Sequence, residues 1–304
     1  MSYYQTNNNI KFVKTNILNI AYEESGPDKG FPIILLHGFP YDPRSWDKVV
    51  PGLISEGFRV LVPYLRGYGQ TSFLDPKTKR IGQQASIGQD LIDFTNALNI
   101  DEYAVSGFDW GNRAACIAAV LQPEKIRGMV SINGYSIQNT LARKSPSSGL
   151  ATARLWYQWY FHTEQGRTGL ENYRHNIIRH LWETWSPNWQ YGDDYYNSAA
   201  ISFENPDFVD VVLHSYQHRH VNAPGEERFV EIEKMLSTSP KIEVPTIVLR
   251  GTASGFGRPS KDPTEDNEHF GWLVDRLLIE NAGHDLPVQR PDSVIEAMIK
   301  LLHK

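Results

Sequence analysis

A single cysteine, Cys116, in 304 residues excludes an intramolecular disulfide framework. No apolar run approaches the ~20 residues that a membrane helix needs. The opening M-S-Y-Y-Q-T-N-N-N is too polar for a signal peptide, so a cytoplasmic protein that does not engage a membrane is expected. Charge of one sign is also missing: 30 Lys+Arg against 35 Asp+Glu give a net charge of −5 with no basic stripe and no acidic tail, which argues against nucleic acid as a partner. Internal repeats and low-complexity tracts are absent. His214, His218 and His220 lie close together, but no carboxylate or Cys supports them at helical spacing, so no metal is expected. Arg66-Gly67-Tyr68-Gly69 lacks the spacing of a phosphate loop and is read as pocket wall; no cofactor is implied.

What is present is enough apolar sequence for a full core, 40% hydrophobic against 21% charged. Strand patterns fall at Ile17–Tyr22, Pro32–Leu36, Phe58–Val62, Tyr103–Val105, Gly128–Ile132, Thr246–Leu249 and Arg276–Ile279. Helix-compatible stretches at Arg44–Ile54, Ser86–Asn99, Asn112–Leu121 and Ser293–Leu301 separate most of the last five, which therefore fit parallel strands of an α/β sheet covered on both faces. Between Gly134 and Ser239 the period breaks. That stretch is helical in character and holds Trp156, Trp159, Trp182, Trp185 and Trp189. It is read as a helical cap, residues 134–239, inserted into a core of residues 1–133 and 240–304 above the carboxyl edge of the sheet, where open α/β sheets bind ligands.

Three loops at carboxyl ends of strands carry the candidate chemistry. After Tyr103–Val105 comes Gly107-Phe108-Asp109-Trp110-Gly111, followed by a helix, the G-x-(nucleophile)-x-G spacing of a strained elbow that exposes its central side chain. An Asp before a helix is also an ordinary N-cap, so the weight falls on the context. After Pro32–Leu36 comes His37-Gly38-Phe39-Pro40, whose Phe39 N–H, with that of Trp110, would form an oxyanion hole. After the last strand comes Asn281-Ala282-Gly283-His284-Asp285-Leu286-Pro287, from which His284 can reach the elbow.

These segments, His37–Pro40, Arg66–Gly69, Gly107–Gly111 and Gly283–Pro287, resemble the α/β-hydrolase superfamily and, within it, the epoxide hydrolase and haloalkane dehalogenase branch. The resemblance implies a mostly parallel eight-stranded sheet and an aspartate nucleophile. A carboxylate is already ionised at pH 7 and displaces a leaving group from saturated carbon, giving an ester of the enzyme that His284 hydrolyses by activating water. Family epoxide hydrolases place two tyrosines of the cap against the epoxide oxygen. The stretches Leu155–Phe161 and Leu213–Gln217 are similar to the segments that carry them, which points to Tyr157 and Tyr216, with Tyr160, Tyr191 and Tyr196 in reserve. His37, Pro40, Trp110, Trp156 and Tyr160 are assigned to substrate binding. The implied substrate is a small apolar epoxide or halogenated compound, together with water.

A dehalogenase is the second reading. Trp110 could donate one indole N–H to a halide, but Phe39 stands where haloalkane enzymes carry Asn or Glu. Of two arginines that clamp a haloacetate, only Arg113 has a counterpart; a solvent-facing or helix-paired role is the alternative for it. The third member of the triad also departs from the family, because Gly251-Thr252-Ala253-Ser254-Gly255 has Ser254 where an acid is normal. Asp262 and Asp266, and less so Glu265, are replacements from the same loop. Asn133 occupies the alternative acid position and would make a neutral contact. Slow ester hydrolysis, or a small-molecule binder without turnover, are the remaining accounts of this loop.

Overall fold

The segments Pro-Ile-Ile-Leu-Leu and Tyr-Ala-Val-Ser-Gly are too apolar to leave either face to water. In a computed structural model, which describes residues 10–141 and 146–303, both are buried central strands. The strands are β1 (Lys11–Lys14), β2 (Leu18–Ser25), β3 (Pro32–Leu36), β4 (Arg59–Pro63), β5 (Ser72–Phe73), β6 (Tyr103–Gly107), β7 (Ile126–Ile132), β8 (Thr246–Gly251) and β9 (Leu273–Ile279). They form one nine-stranded sheet in the order β1-β2-β4-β3-β6-β7-β8-β9, with β5 paired to β2. Strands β1 and β2 are antiparallel to each other and β2 to β4, whereas β3, β4 and β6 to β9 are mutually parallel. The sheet therefore has nine strands where eight were expected, and β3 joins the parallel set. The short edge strand Lys-Phe-Val-Lys and the two-residue β5 bury too little to leave a pattern.

Around the sheet lie α1 (Val50–Ser55), α2 (Gln84–Ala97), α3 (Trp110–Leu121), α4 (Gly149–Arg154), α5 (Trp156–Tyr160), α6 (Glu164–Trp185), α7 (Asp193–Ala200), α8 (Phe208–Arg219), α9 (Val230–Leu236), α10 (Thr264–His269), α11 (Leu286–Gln289) and α12 (Pro291–Leu302). The expected helix Arg44–Ile54 is instead a 3₁₀ turn, Pro43–Trp46, followed by α1. Pro51 lacks an N–H and is tolerated only in the first turn, so the helix starts anew beside it. Among the described residues no helix is long and apolar enough to cross a membrane.

The strand order reverses at β3, between β4 and β6, which is where open parallel sheets leave a crevice. Register pairs Leu36 with Gly107, so the loops after β3 and β6 leave the sheet side by side. Helices α4 to α9 all lie between β7 and β8 in the chain. Trp182 anchors this helical stretch to the β3 loop: its Nε1 donates to the Pro40 carbonyl at 2.9 Å and its ring stacks on Tyr41 at 5.1 Å.

Candidate active site

Asp109 sits at the tip of a turn too tight for ordinary residues. Its φ of 51° lies in the left-handed region, and a Cβ on Gly111 would overlap the carbonyl oxygens of Leu36 and His37. On the facing loop, a Cβ on Gly38 would come within 2.5 Å of the Asp109 Cβ. This close approach lets the backbone N–H groups of Phe39 and Trp110 both donate to one oxygen, Oδ1, at 2.9 and 2.7 Å. The other oxygen, Oδ2, faces His284 Nε2 at 3.5 Å, too long for a strong hydrogen bond. Burial alone would raise the Asp109 pKa. The His284 ring, and more distantly Arg113 and Arg219, outweigh it and hold the carboxyl below its usual range. Asp109 is thus an N-cap that also presents a free, ionised oxygen.

The helical stretch and the β8 loop hold His284. Its backbone N–H donates to Ser186 Oγ at 2.9 Å and to the Trp185 carbonyl at 3.2 Å. Its ring lies edge-on between Trp185 and Phe256, with centroids at 5.1 and 5.2 Å. The turn Gly251–Gly255 passes beneath this loop, with Ala253 N donating to the Ala282 carbonyl at 2.9 Å. Ser254 Oγ accepts from Phe256 N at 3.3 Å, within its own turn. Asp262 is exposed and caps Thr264. Asp266 is buried and held by Arg250 and Arg276 at 2.5 and 2.7 Å, and Glu265 is exposed beside Arg250. Neither Asp262 nor Asp266 is therefore brought to His284, because each already serves its own segment. Asn133 donates to the His284 carbonyl at 3.4 Å, touching its backbone and not its ring. Asp285, next in the chain, turns to Ser45 at 3.0 Å and is pushed well above the usual carboxylate range by burial. Among the described residues no ionised carboxylate backs the imidazole.

Tyr157 on α5 and Tyr216 on α8 meet at 5.2 Å, edge to face, and both pack on Phe39, at 6.2 and 5.3 Å. Burial raises both phenol pKa values; the Asp109 charge adds to the rise and Arg219 opposes it. Gln158 Nε2 donates to the Tyr157 hydroxyl at 3.0 Å, while its Oε1 contacts His220 Nε2 at 3.0 Å. A phenol oxygen that accepts from Gln158 keeps its own proton free to donate. Gln158 was adjacent to a candidate and so was visible in the sequence. Ser186 and Phe256, which fix His284, left no sequence signal.

Other expected pocket residues are engaged elsewhere. Trp156 and Tyr160 pack on each other, tilted, at 5.7 Å; Tyr160 fills the space over Gly169 of α6, while Trp156 touches His180 of α6 at 6.1 Å and meets Tyr157 edge-on at 6.4 Å. His37 accepts from Leu65 N at 3.1 Å through Nε2 and contacts the Gly38 carbonyl at 3.2 Å through Nδ1. Burial lowers its pKa to about 4, so it is a neutral brace for the loop, as Pro40 is an anchor for Trp182. Tyr191 and Tyr196 pack around Trp182. Arg113 does not face solvent: it is buried and donates to the Ser136 carbonyl at 3.1 Å. Arg66 is locked to Asp90 at 2.5 Å. His214 accepts from Gly82 N and contacts the Pro224 carbonyl, both at 3.1 Å.

Comparison with known proteins bears on the fold and the family. A family model described as the α/β hydrolase fold matches residues 32–170. A solved structure from Klebsiella pneumoniae, provisionally named an epoxide hydrolase, is 36% identical with a TM-score of 0.93, over 96% of this chain and 97% of that one. Epoxide hydrolase B of Mycobacterium tuberculosis is 27% identical over 266 residues, covering 79% of this chain and 71% of that protein. The soluble epoxide hydrolase of Corynebacterium sp. strain C12 is 24% identical over 285 residues, covering 89% and 90%. With more than a third of positions shared across nearly the whole of both chains in the first case, this chain belongs to the α/β-hydrolase family of enzymes, on the branch that holds the epoxide hydrolases.

Proposed function

We propose that the protein opens an epoxide to a diol through a covalent ester on Asp109, with residues 134–239 acting as a cap that supplies the acid. The observation that carries this reading is the division of labour at Asp109: Oδ1 is held by two backbone N–H groups, Oδ2 faces His284 without a strong hydrogen bond, and Tyr157 and Tyr216 meet against Phe39, which supplies one of those N–H groups. In the first step Tyr157 and Tyr216 hydrogen-bond the epoxide oxygen while Oδ2 attacks a ring carbon. The ring C–O bond breaks and the alkoxide takes a phenol proton. In the second, His284 Nε2 takes a proton from water as its oxygen attacks the Asp109 carboxyl carbon, and the charge formed on Oδ1 rests on the Phe39 and Trp110 N–H groups. The carbon–Oδ2 bond then breaks, the diol leaves with Oδ2 and the proton from His284, and the remaining water proton returns to the tyrosinate.

A phenol assists an alkoxide but has nothing to protonate on a departing halide. One observation favours the dehalogenase reading: the indole N–H of Trp110, the residue after Asp109, is buried and has no hydrogen-bond partner among the described residues. The two readings separate in a Tyr157→Phe/Tyr216→Phe double variant, which is expected to lose epoxide opening by ~10²-fold or more while any halide release changes little. Wild-type protein that releases halide from haloalkanes or haloacetates much faster than it opens any epoxide would reverse the assignment.

The charge missing behind His284 leads to a second test. The Ser254 turn lies directly under the His284 loop, and its serine stays within the turn. Ser254→Asp is expected to speed ester hydrolysis by ~10-fold or more in single turnover, with alkylation little changed, since an orienting carboxylate stabilises the imidazolium formed in that step alone. Unchanged ester breakdown would mean that position 254 does not face the ring, and that the aromatic enclosure of Trp185 and Phe256 suffices.

A further inference from the structure

Arg44, Arg66, Arg113 and Arg219 are all buried. The first is paired with Glu23 and Asp47, the second with Asp90, and the third donates to the Ser136 carbonyl. Arg219, the last residue of α8, is only 7% exposed, yet among the described residues none of its nitrogens has a hydrogen-bond acceptor or a carboxylate partner. Its guanidinium carbon lies 5.0 Å from the Tyr216 ring centroid. The aromatic face and the carboxyl end of α8 both favour a cation there, but neither satisfies the five N–H donors of the group. A guanidinium enclosed in this way, with no acceptor among the described residues, favours a ligand that brings one.

We propose that Arg219 receives a carboxylate carried by the substrate, at or next to the carbon that Asp109 attacks. This rests on the reading that Asp109 is alkylated, and the charge balance of the cycle supports it. Arg219 and Arg113 both act on the Asp109 anion, and that anion disappears when the ester forms. A substrate carboxylate keeps the pocket compensated throughout and gives the guanidinium a planar, two-pronged partner that fixes the electrophile. Arg219 packs on the ring of Tyr216, which meets Tyr157, so a carboxylate held by Arg219 would lie beside the phenols proposed to receive the epoxide oxygen. A 2,3-epoxy acid has that geometry. The substrate class is then an anionic epoxide, where the family resemblance implied an apolar one.

The test compares glycidate with glycidamide, equal in size and differing in charge, in wild type and in Arg219→Met, which fills a similar volume and should not cost stability because it removes an unpaired buried charge. Wild type is expected to favour glycidate in kcat/KM by ~10-fold or more, and the variant to lower the glycidate value by ~10²-fold more than the glycidamide value. Equal losses on both substrates would leave Arg219 serving only the tyrosines, and an indifferent wild type would remove the subsite; either overturns the proposal. If neither epoxide is opened, the epoxide reading fails, and calorimetry decides the carboxylate site separately. Glycerate bound by wild type in preference to glyceramide, with the preference lost in Arg219→Met, upholds it, and no preference overturns it. Should the methionine variant not fold, Arg219→Gln takes its place in both measurements.

Discussion

Asp109→Asn is expected to lose epoxide turnover by ~10⁴-fold or more, because an amide oxygen is a poor nucleophile toward saturated carbon and nothing else in the site can form the ester. The variant is a clean probe of chemistry. Asparagine retains an oxygen to accept from Phe39 N and Trp110 N, so the strained turn at φ 51° keeps both of its hydrogen bonds. Asn also adopts positive φ at least as readily as Asp. Intact mass after incubation with substrate should show no adduct. The wild-type counterpart is a single turnover in ¹⁸O-water: the first diol should carry no label, and the label should appear in the peptide containing Asp109, since the oxygen that leaves is Oδ2. Labelled diol with an unlabelled Asp109 peptide would mean that water attacks the epoxide directly. Wild-type rates in freshly purified Asp109→Asn that has not deamidated would remove the nucleophile altogether.

The parts of the site that were legible in the sequence are those fixed by backbone geometry. Asp109 in its elbow between Gly107 and Gly111, and a loop entered through Gly38, are written in glycines because no Cβ fits where the two loops touch. The strand runs that deliver them are legible because they are buried on both faces. Contacts that depend on how the helices α4 to α9 settle on the sheet were not legible. Trp156 and Tyr160 share the aromatic composition of the pocket wall, but both pack on α6, whereas Tyr157, which Trp156 touches edge-on, packs against Phe39. The acid was the hardest case. Asp262 and Asp266 have the right chemistry and lie close in sequence, yet one caps Thr264 and the other neutralises two arginines, demands that only the folded chain reveals. Arg219 was passed over for the opposite reason: in a helix, a terminal arginine has an ordinary explanation, and only the missing partner makes it unusual.

His284→Gln should separate the two chemical steps where Asp109→Asn removes both. Alkylation needs Oδ2 free and the phenols in place, and neither depends on the imidazole as a base. Hydrolysis does depend on it, because a base within reach of the ester must take the proton of the attacking water. The backbone of residue 284 is fixed through its N–H to Ser186 and Trp185, contacts that the substitution leaves alone, and glutamine is small enough for the space between Trp185 and Phe256. The expected result is a burst of about one equivalent of epoxide consumed, an intact mass raised by one substrate, and a steady rate lowered by ~10³-fold. One qualification follows from charge: His284 also helps hold the Asp109 carboxyl low, so the burst in the variant should weaken at acidic pH where the wild-type burst does not. A variant that turns over steadily at the wild-type rate, without a burst, would take His284 out of the hydrolytic step and leave the aromatic enclosure around it without a catalytic purpose.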